Sequence, residues 1–326
     1  MDPNFLTSAA RFEDLPELAE LLSQVERLNN GSRIFSKDKL SDQLNSTLTV
    51  MNRDTLVVRN SLGKIVGFSW TALLPSLESA DRCYVNGGVH PDFRGKSVGR
   101  QLLQWSIEHS KMLLRTCSSS YGQVIRVSRD KNDLLSARLF NRFGFYPIRW
   151  FEDLARPLLD LPPLIKTPKF HVEMWPNDDL SIVELLDLKN SAFKDHWSST
   201  DWSLKRWLDY LKSQSSRLDL SLIAKDVVTN QAVGFLLTFE EKYDDKILGS
   251  SVAMIEKIAT LKSWRRQGVA TTLICNALTS YSREGFSHSV IGVDSESPSG
   301  ANLLYRSLGF NSLQQFVHSE LVLMKK

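Results

Sequence analysis

Apolar residues recur at helical spacing from Asp14 to Leu28, with Leu15, Leu18, Leu21 and Leu22 on one side, and a shorter helix fits Asp38 to Leu44. Phe5-Leu6-Thr7 reads as a short strand before them. Two further strands, Thr55–Arg59 and Ile65–Trp70, flank Asn60-Ser61-Leu62-Gly63, a sequence suited to a hairpin turn. A strand ending at Val89 comes next, then a long helix marked by Leu102, Leu103, Ile107, Leu113 and Leu114. Val124-Ile125-Arg126-Val127 gives another strand, and a helix through Phe140 ends at Gly144.

The second half repeats this order. Helices fit Asp179 to Phe193 and Leu204 to Leu211, and strands fit Leu218 to Ala224, Val233 to Phe239 and Ser251 to Ala259. The helix after them carries Val269, Leu273, Ala277 and Tyr281 on one stripe, with Ile274 and Leu278 beside it. The expected division is an N-terminal domain over residues 1–155, a linker over 156–168 and a C-terminal domain over 169–326. Four prolines between Pro157 and Pro168 stiffen that linker.

Repetition extends to the loops. Arg94-Gly95-Lys96-Ser97-Val98-Gly99 and Arg265-Arg266-Gln267-Gly268-Val269-Ala270 each close an apolar strand and open an amphipathic helix, about 170 residues apart. Downstream, Leu139-Phe140-Asn141-Arg142-Phe143-Gly144-Phe145 aligns with Leu304-Tyr305-Arg306-Ser307-Leu308-Gly309-Phe310. That agreement marks a duplicated domain. At a helix start, four N–H groups lack an intrahelical partner, and the macrodipole places roughly half a positive charge there. A basic, glycine-containing turn at that position suits a diphosphate.

Composition narrows the choices. Of 326 residues, 42% are apolar and 24% charged, and no apolar run approaches the ~18 residues of a membrane span. The start, with Asp14, Glu17 and Glu20 close behind it, lacks the basic opening and apolar centre of a secretory signal, so a cytoplasmic location is expected. A net charge of +3 is too slight for nucleic-acid binding. Cys83, Cys117 and Cys275 are widely spaced, which argues against a disulfide framework or a zinc site. No Gly-x-Ser-x-Gly, His-Glu-x-x-His or P-loop motif occurs.

With these loops the chain resembles the GNAT superfamily of acetyl-CoA-dependent N-acyltransferases, whose loop reads Gln/Arg-x-x-Gly-x-Gly/Ala after the fourth strand. Arg265-x-x-Gly268-x-Ala270 matches in full, whereas Arg94-x-x-Ser97-x-Gly99 has serine at one glycine position. A narrower resemblance, carried by Arg156–Pro162 and Asn190–His196, is to tandem GNAT proteins of the mycothiol synthase type. The resemblance implies an α/β (α+β mixed) fold of two tandem domains, each a twisted, mostly antiparallel sheet flanked by helices. It implies acetyl-CoA as cofactor, a degenerate first domain and a catalytic second one.

By the same resemblance, Tyr305 stands where the family has its proton donor, and Phe140 holds the equivalent place in the first half. Glu256, on the strand leading to the second loop, is the candidate base. It lies two residues from Met254, where the mycothiol synthase type has its glutamate. Cofactor contacts are expected from Ile258, Ala259, Thr260, the segment Arg265, Arg266, Gln267, Gly268, Val269 and Ala270, and Asn302, and in the first half from Arg94, Gly95, Lys96, Ser97, Val98 and Gly99. Backbone N–H groups near Ile258 and Thr260 would stabilise an oxyanion. Asp195, His196 and Trp197 could reach the acceptor side. Trp197, Trp202 and Trp207 either line a pocket or anchor two helices. The expected acceptor is a small-molecule primary amine, with no nucleic-acid or membrane partner, in a monomer or homodimer. Two alternatives stay open: a mycothiol synthase acting on cysteinyl-glucosaminyl-inositol, and a non-catalytic acyl-CoA-binding regulatory protein.

Overall fold

A computed structural model describes residues 5–29, 31, 34–76, 80–117, 122–197, 199–242, 248, 251–297 and 300–323. The first repeat comprises β1 (Leu6–Ser8), α1 (Leu15–Leu28), α2 (Lys37–Leu44), β2 (Thr55–Arg59), β3 (Ile65–Leu74), β4 (Asp81–Val89), α3 (Val98–Leu114), β5 (Gln123–Asp130), α4 (Leu134–Arg142) and β6 (Tyr146–Pro157). The second comprises β7 (Phe170–Met174), α5 (Asp179–Ala192), α6 (Leu204–Leu211), β8 (Leu222–Asp226), β9 (Ala232–Glu241), β10 (Val252–Thr260), α7 (Val269–Arg283), β11 (His288–Asp294), α8 (Ala301–Ser307) and β12 (Asn311–Leu323).

The compact units cut across these repeats. One holds Met1–Phe151 with Gln315–Lys326, the other Glu152–Gln314. The divisions fall inside β6 and β12, where a boundary at 155 and a C-terminal domain through 326 had been expected. Within the first unit, β12 pairs antiparallel with β5 from Phe316↔Asp130 to Leu323↔Gln123. Arg126 of β5 reaches Glu320 of β12 through its Nε at 2.9 Å. The start of the expected linker is strand through Pro157, and Leu158 is buried, its N–H bonded to Ser287 O at 2.9 Å. The Arg156 guanidinium donates to Leu308 O beside Gly309, whose left-handed backbone (φ +84°) favours glycine.

Each unit is a mostly antiparallel sheet between two helical layers. In the first, α1 and α2 pack Leu15, Leu18, Leu22 and Leu40 against Val57, Phe68 and Trp70. On the other face, α3 sets Val98 and Leu102 on Val58 and Val66, and Leu103 and Ile107 on Cys83 and Ile125. In the second, α5 and α6 cover Ile223, Phe235, Leu237 and Phe239, while α7 and α8 cover Leu222, Leu236, Ala253 and Ile255. Among the described residues no helix is long and apolar enough to cross a membrane.

Leu218–Leu220 is a 3-10 turn and not part of a strand as the apolar run suggested. Ser221 N–H bonds Leu218 O at 3.1 Å and the Ser221 hydroxyl bonds Arg217 O at 2.9 Å, a local closure that competes with the ladder.

Candidate active site

In each unit the fourth strand forks away from its parallel neighbour. The β10–β11 ladder runs only from Ala253↔Ser289 to Ile255↔Ile291, although β10 continues to Thr260. The β4–β5 ladder likewise stops at Val85↔Val127. On its other side β10 stays paired with β9, and Leu261 N–H donates to Val233 O at 3.0 Å. Antiparallel alternation then directs the N–H groups of Ile258 and Thr260 toward the fork. His90 N–H to Val66 O, 2.9 Å, sets the same phase in the first unit and directs Gly87 and Val89 likewise. Among the described residues Thr260 Oγ1 is buried without a hydrogen-bond partner.

The loops after these strands share one backbone path. Arg94 and Arg265 are extended, Gly95 (φ +78°) and Arg266 (φ +63°) left-handed, and Ser97 (φ +64°) and Gly268 (φ +86°) left-handed again as helix N-caps. Alternation of hand turns successive N–H groups into one concavity at the start of α3 or α7, a nest for an anion. An aromatic pair anchors each loop: Phe93 meets Phe5 edge-on at 6.3 Å, and Trp264 meets Phe170 edge-on at 6.3 Å. Gly234 lets β9 approach α7, since a Cβ there would lie 2.7 Å from Val269 Cγ1. A Cβ on Gly268 would meet nothing, so its side is open to a ligand, and only the backbone conformation calls for glycine. These features fit the diphosphate and pantetheine amides of an acyl-CoA: an N–H nest, an open Gly268 and an unpaired β10 edge.

Glu256 sits at a β-bulge, where the β9 register shifts between Ile255 and Lys257. The bulge changes the phase of the strand: Ile255 and Ile258 join the α7 core, whereas Lys257 and Ala259 face α5 and α6. Residues 254 and 256 share the α6 side, as simple alternation has it, since Ala253 and Ile255 belong to the α7 core and Glu256 reaches Tyr210; the bulge adds Lys257 to that same side. Glu256 accepts from the Tyr210 hydroxyl and lies 3.7 Å from Lys257 Nζ. Burial, with the Glu256 charge and hydrogen bond adding to it, pushes the Tyr210 phenol well above its usual value.

Tyr305 is 6% exposed, in the α7–α8 core that includes Ala253, Ile255 and Ile258. Its ring meets Phe310 edge-on at 6.3 Å, and its hydroxyl makes no hydrogen bond among the described residues. Burial raises its pKa well above 10, so the phenol is protonated at neutral pH. Phe140, on α4, packs on Phe145 at 5.9 Å.

The remaining expected residues distribute as follows. Asp195 is brought to the loop, 3.2 Å from Arg265 Nη1 and 3.5 Å from Lys262 Nζ, and these partners hold its carboxyl below the usual range. Arg265 also donates to Ala192 O at 2.9 Å. His196 is exposed, its Nδ1 donating to Trp197 O at 3.1 Å. Gln267 bonds Ser263 O at 2.9 Å, and Asn302 accepts from Arg306 Nε at 3.0 Å. Trp207 is fully buried and donates to Ile182 O at 3.3 Å, a core residue, whereas Trp202 is half-buried beside Lys257. The sequence pointed to Glu256 but not to Tyr210, Lys257, Lys189 or Arg206 around it. Arg206 and Tyr210 lie on α6, Lys189 on α5 and Lys257 on β10, so no shared spacing marked them in the sequence.

The Acetyltransferase (GNAT) domain family matches twice, over residues 51–147 and 219–312. No curated protein matches the chain. Among solved structures, a GCN5-related N-acetyltransferase from Sphaerobacter thermophilus aligns with a TM-score of 0.80 at 21% identity, spanning 99% of this chain and 96% of that one. A tandem GNAT protein from the clavulanic acid biosynthesis pathway gives 0.74 at 15% identity, covering 99% of both. Saccharomyces cerevisiae N-myristoyltransferase with bound myristoyl-CoA gives 0.68 at 12%, over 98% of this chain and 79% of that one. These structural likenesses carry the fold, and the two domain matches carry the family and its acyl-CoA-dependent acetyl transfer. The chain therefore belongs to the GNAT acetyltransferase family, with the domain present twice.

Proposed function

We propose that the C-terminal unit uses acetyl-CoA to acetylate a primary amine of a small molecule by direct attack. The observation that carries this reading is the protonated Tyr305 hydroxyl, which has no hydrogen-bond partner among the described residues, where the first repeat carries Phe140 at the equivalent sequence position. Acetyl-CoA supplies the thioester-activated acyl group. An N–C bond forms and a C–S bond breaks, so the protein must take a proton from the ammonium and give one to the departing sulfur.

Arg265, Arg266 and the N–H groups from Gln267 to Ala270 hold the diphosphate. The N–H groups of Ile258 and Thr260 steady the carbonyl oxygen as negative charge develops on it. Glu256, held by Tyr210 and Lys257, accepts the ammonium proton through water, and Tyr305 donates to sulfur. A second reading, non-catalytic acyl-CoA binding, is favoured for the first unit alone by Phe140 and the left-handed Ser97. Changing Gly268 to valine tests the assignment: weakened acetyl-CoA binding and loss of CoA release support it, and unchanged release refutes it.

A further inference from the structure

The helix that carries Tyr210 is held at its entrance by one side-chain amide. Asn190, on α5, donates through Nδ2 to Trp202 O at 3.1 Å and accepts at Oδ1 from Trp202 N–H at 2.9 Å. An amide has a donor and an acceptor side by side, so it satisfies both main-chain groups of one residue as a neighbouring strand would. Lys189, 2% exposed, adds bonds of 3.0 Å to Asn190 Oδ1 and to Thr200 O. Thr200 and Trp202 are thereby fastened to the last turns of α5.

Trp202 immediately precedes Ser203, the N-cap of α6, whose hydroxyl accepts from Arg206 N–H at 3.3 Å. The Trp202 ring meets Trp207 edge-on at 6.1 Å, a contact across the helix start that fixes the angle at which the chain enters. Trp207 Nε1 donates in turn to Ile182 O of α5 at 3.3 Å. Asn190 and Ile182 lie about 12 Å apart along α5, so α6 is tied to it at two separated points. A helix as short as Leu204–Leu211 is marginal by itself, and these ties decide where it sits.

Tyr210 lies one turn beyond Trp207. Its ring meets Trp202 edge-on at 5.0 Å and packs on Phe239 at 5.1 Å, and its hydroxyl donates to Glu256. A shift of α6 carries that hydroxyl off the carboxylate. We propose that Asn190 is a positioning residue for acetyl transfer: by fixing the entrance to α6 it keeps the Tyr210 hydroxyl on Glu256 and so sets how the carboxylate faces the acceptor amine. This rests on the reading of Glu256 as the base. The cofactor loop is tied to α5 elsewhere, through Arg265 and Ala192 O at 2.9 Å. Asn190→Ala leaves that tie in place, because alanine is the better helix former. Its effect is therefore expected on kcat and not on acetyl-CoA binding.

The test uses the full chain with acetyl-CoA. Thiol release is measured across aminosugars, amino acids, short peptides and polyamines, and the fastest acceptor is carried forward. Asn190→Ala is expected to lower kcat about tenfold or more, with calorimetric acetyl-CoA affinity kept within about twofold. Tyr210→Phe should lower kcat alike. In a Glu256→Gln chain, Asn190→Ala should cost no more than about twofold further, because both changes remove one function; a purely structural fault costs the same factor in either background. Asn190→Asp keeps the acceptor for Trp202 N–H and Lys189 and loses only the donor, so it gives a second reading, with a smaller loss, should the alanine chain fail to fold. Turnover within about twofold of the parent in both Asn190 variants, an undiminished loss in the Glu256→Gln chain, or acetyl-CoA binding weakened as much as kcat overturns the inference and leaves acetyl transfer standing. Glu256→Gln at parental turnover overturns the base and this inference with it, again leaving acetyl transfer. A parent chain that binds acetyl-CoA and releases no CoA overturns both.

Discussion

Tyr305→Phe separates a proton donor from a core-filling ring, because it removes one oxygen and keeps the packing against Phe310 and the α7–α8 core. The hydroxyl makes no hydrogen bond among the described residues, so its loss breaks none. Removing an unpartnered hydroxyl from a buried setting leaves stability unchanged or raises it by up to about 1 kcal/mol, at most about 3 °C in the unfolding midpoint. Loss of a general acid costs about 10²–10⁴-fold in turnover, or about 2.7–5.4 kcal/mol in the barrier. The expected signature therefore has opposed directions: acetyl-CoA affinity kept, thermal stability equal or higher, and kcat sharply lower. Because burial holds the Tyr305 pKa well above 10, its deprotonation contributes no alkaline fall in kcat below about pH 10. Calorimetric acetyl-CoA binding, a thermal melt and thiol-release kinetics supply the three readings. Turnover within about twofold of the parent refutes the donor role, since that is far below what loss of a general acid costs.

Ser97→Gly should stabilise the first unit by about 0.5–1 kcal/mol, since relief of the left-handed strain at φ +64° exceeds the added chain entropy; denaturant unfolding checks this. In the first unit, burial pushes Asp54 up but is outweighed by hydrogen bonds from His109, Arg53 and Val50 N–H, which hold it at about 2. A depressed carboxyl stabilises above its unfolded value of 3.8 and loses that contribution as pH falls toward 2, so Asp54→Asn should cost about 2 kcal/mol at neutral pH and flatten the acid limb of a stability profile. Lys189 has the opposite sign: its folded value of about 7 lies below the unfolded 10.5, so a penalty is complete below about 7 and fades as pH rises toward 10.5. Lys189→Met should accordingly gain more stability at pH 6 than at pH 10, as paired melts would show.

The repeat, the helices and both loops were legible in the sequence because each depends on local signals: apolar spacing, glycine before a helix, basic residues at its mouth. The exchange of closing strands was not. Tyr146–Pro157 carries Arg149, Glu152, Asp153 and Arg156, and β12 carries Gln314, Gln315, His318 and Glu320, so neither shows clean alternation. Their polar groups are answered by partners far away in sequence, as Glu320 is by Arg126. Glu256 stood out as a lone acid on an apolar strand, but the bulge that sets Lys257 beside it on the Tyr210 side leaves no mark in composition. Asp195 reads as an acceptor-side group until the turn after α5 delivers it to Arg265. The left-handed Arg266 was hidden because its conformation is the one its repeat partner, Gly95, adopts with no side-chain cost.

The most direct test of acetyl transfer in the C-terminal unit is amine-dependent CoA thiol release from acetyl-CoA, with the product amine weighed by mass spectrometry. Release in proportion to an amine that gains one acetyl group, and its loss in the Tyr305→Phe chain, is the expected result. Acetyl-CoA binding without release for any amine, or release that Tyr305→Phe leaves untouched, contradicts it.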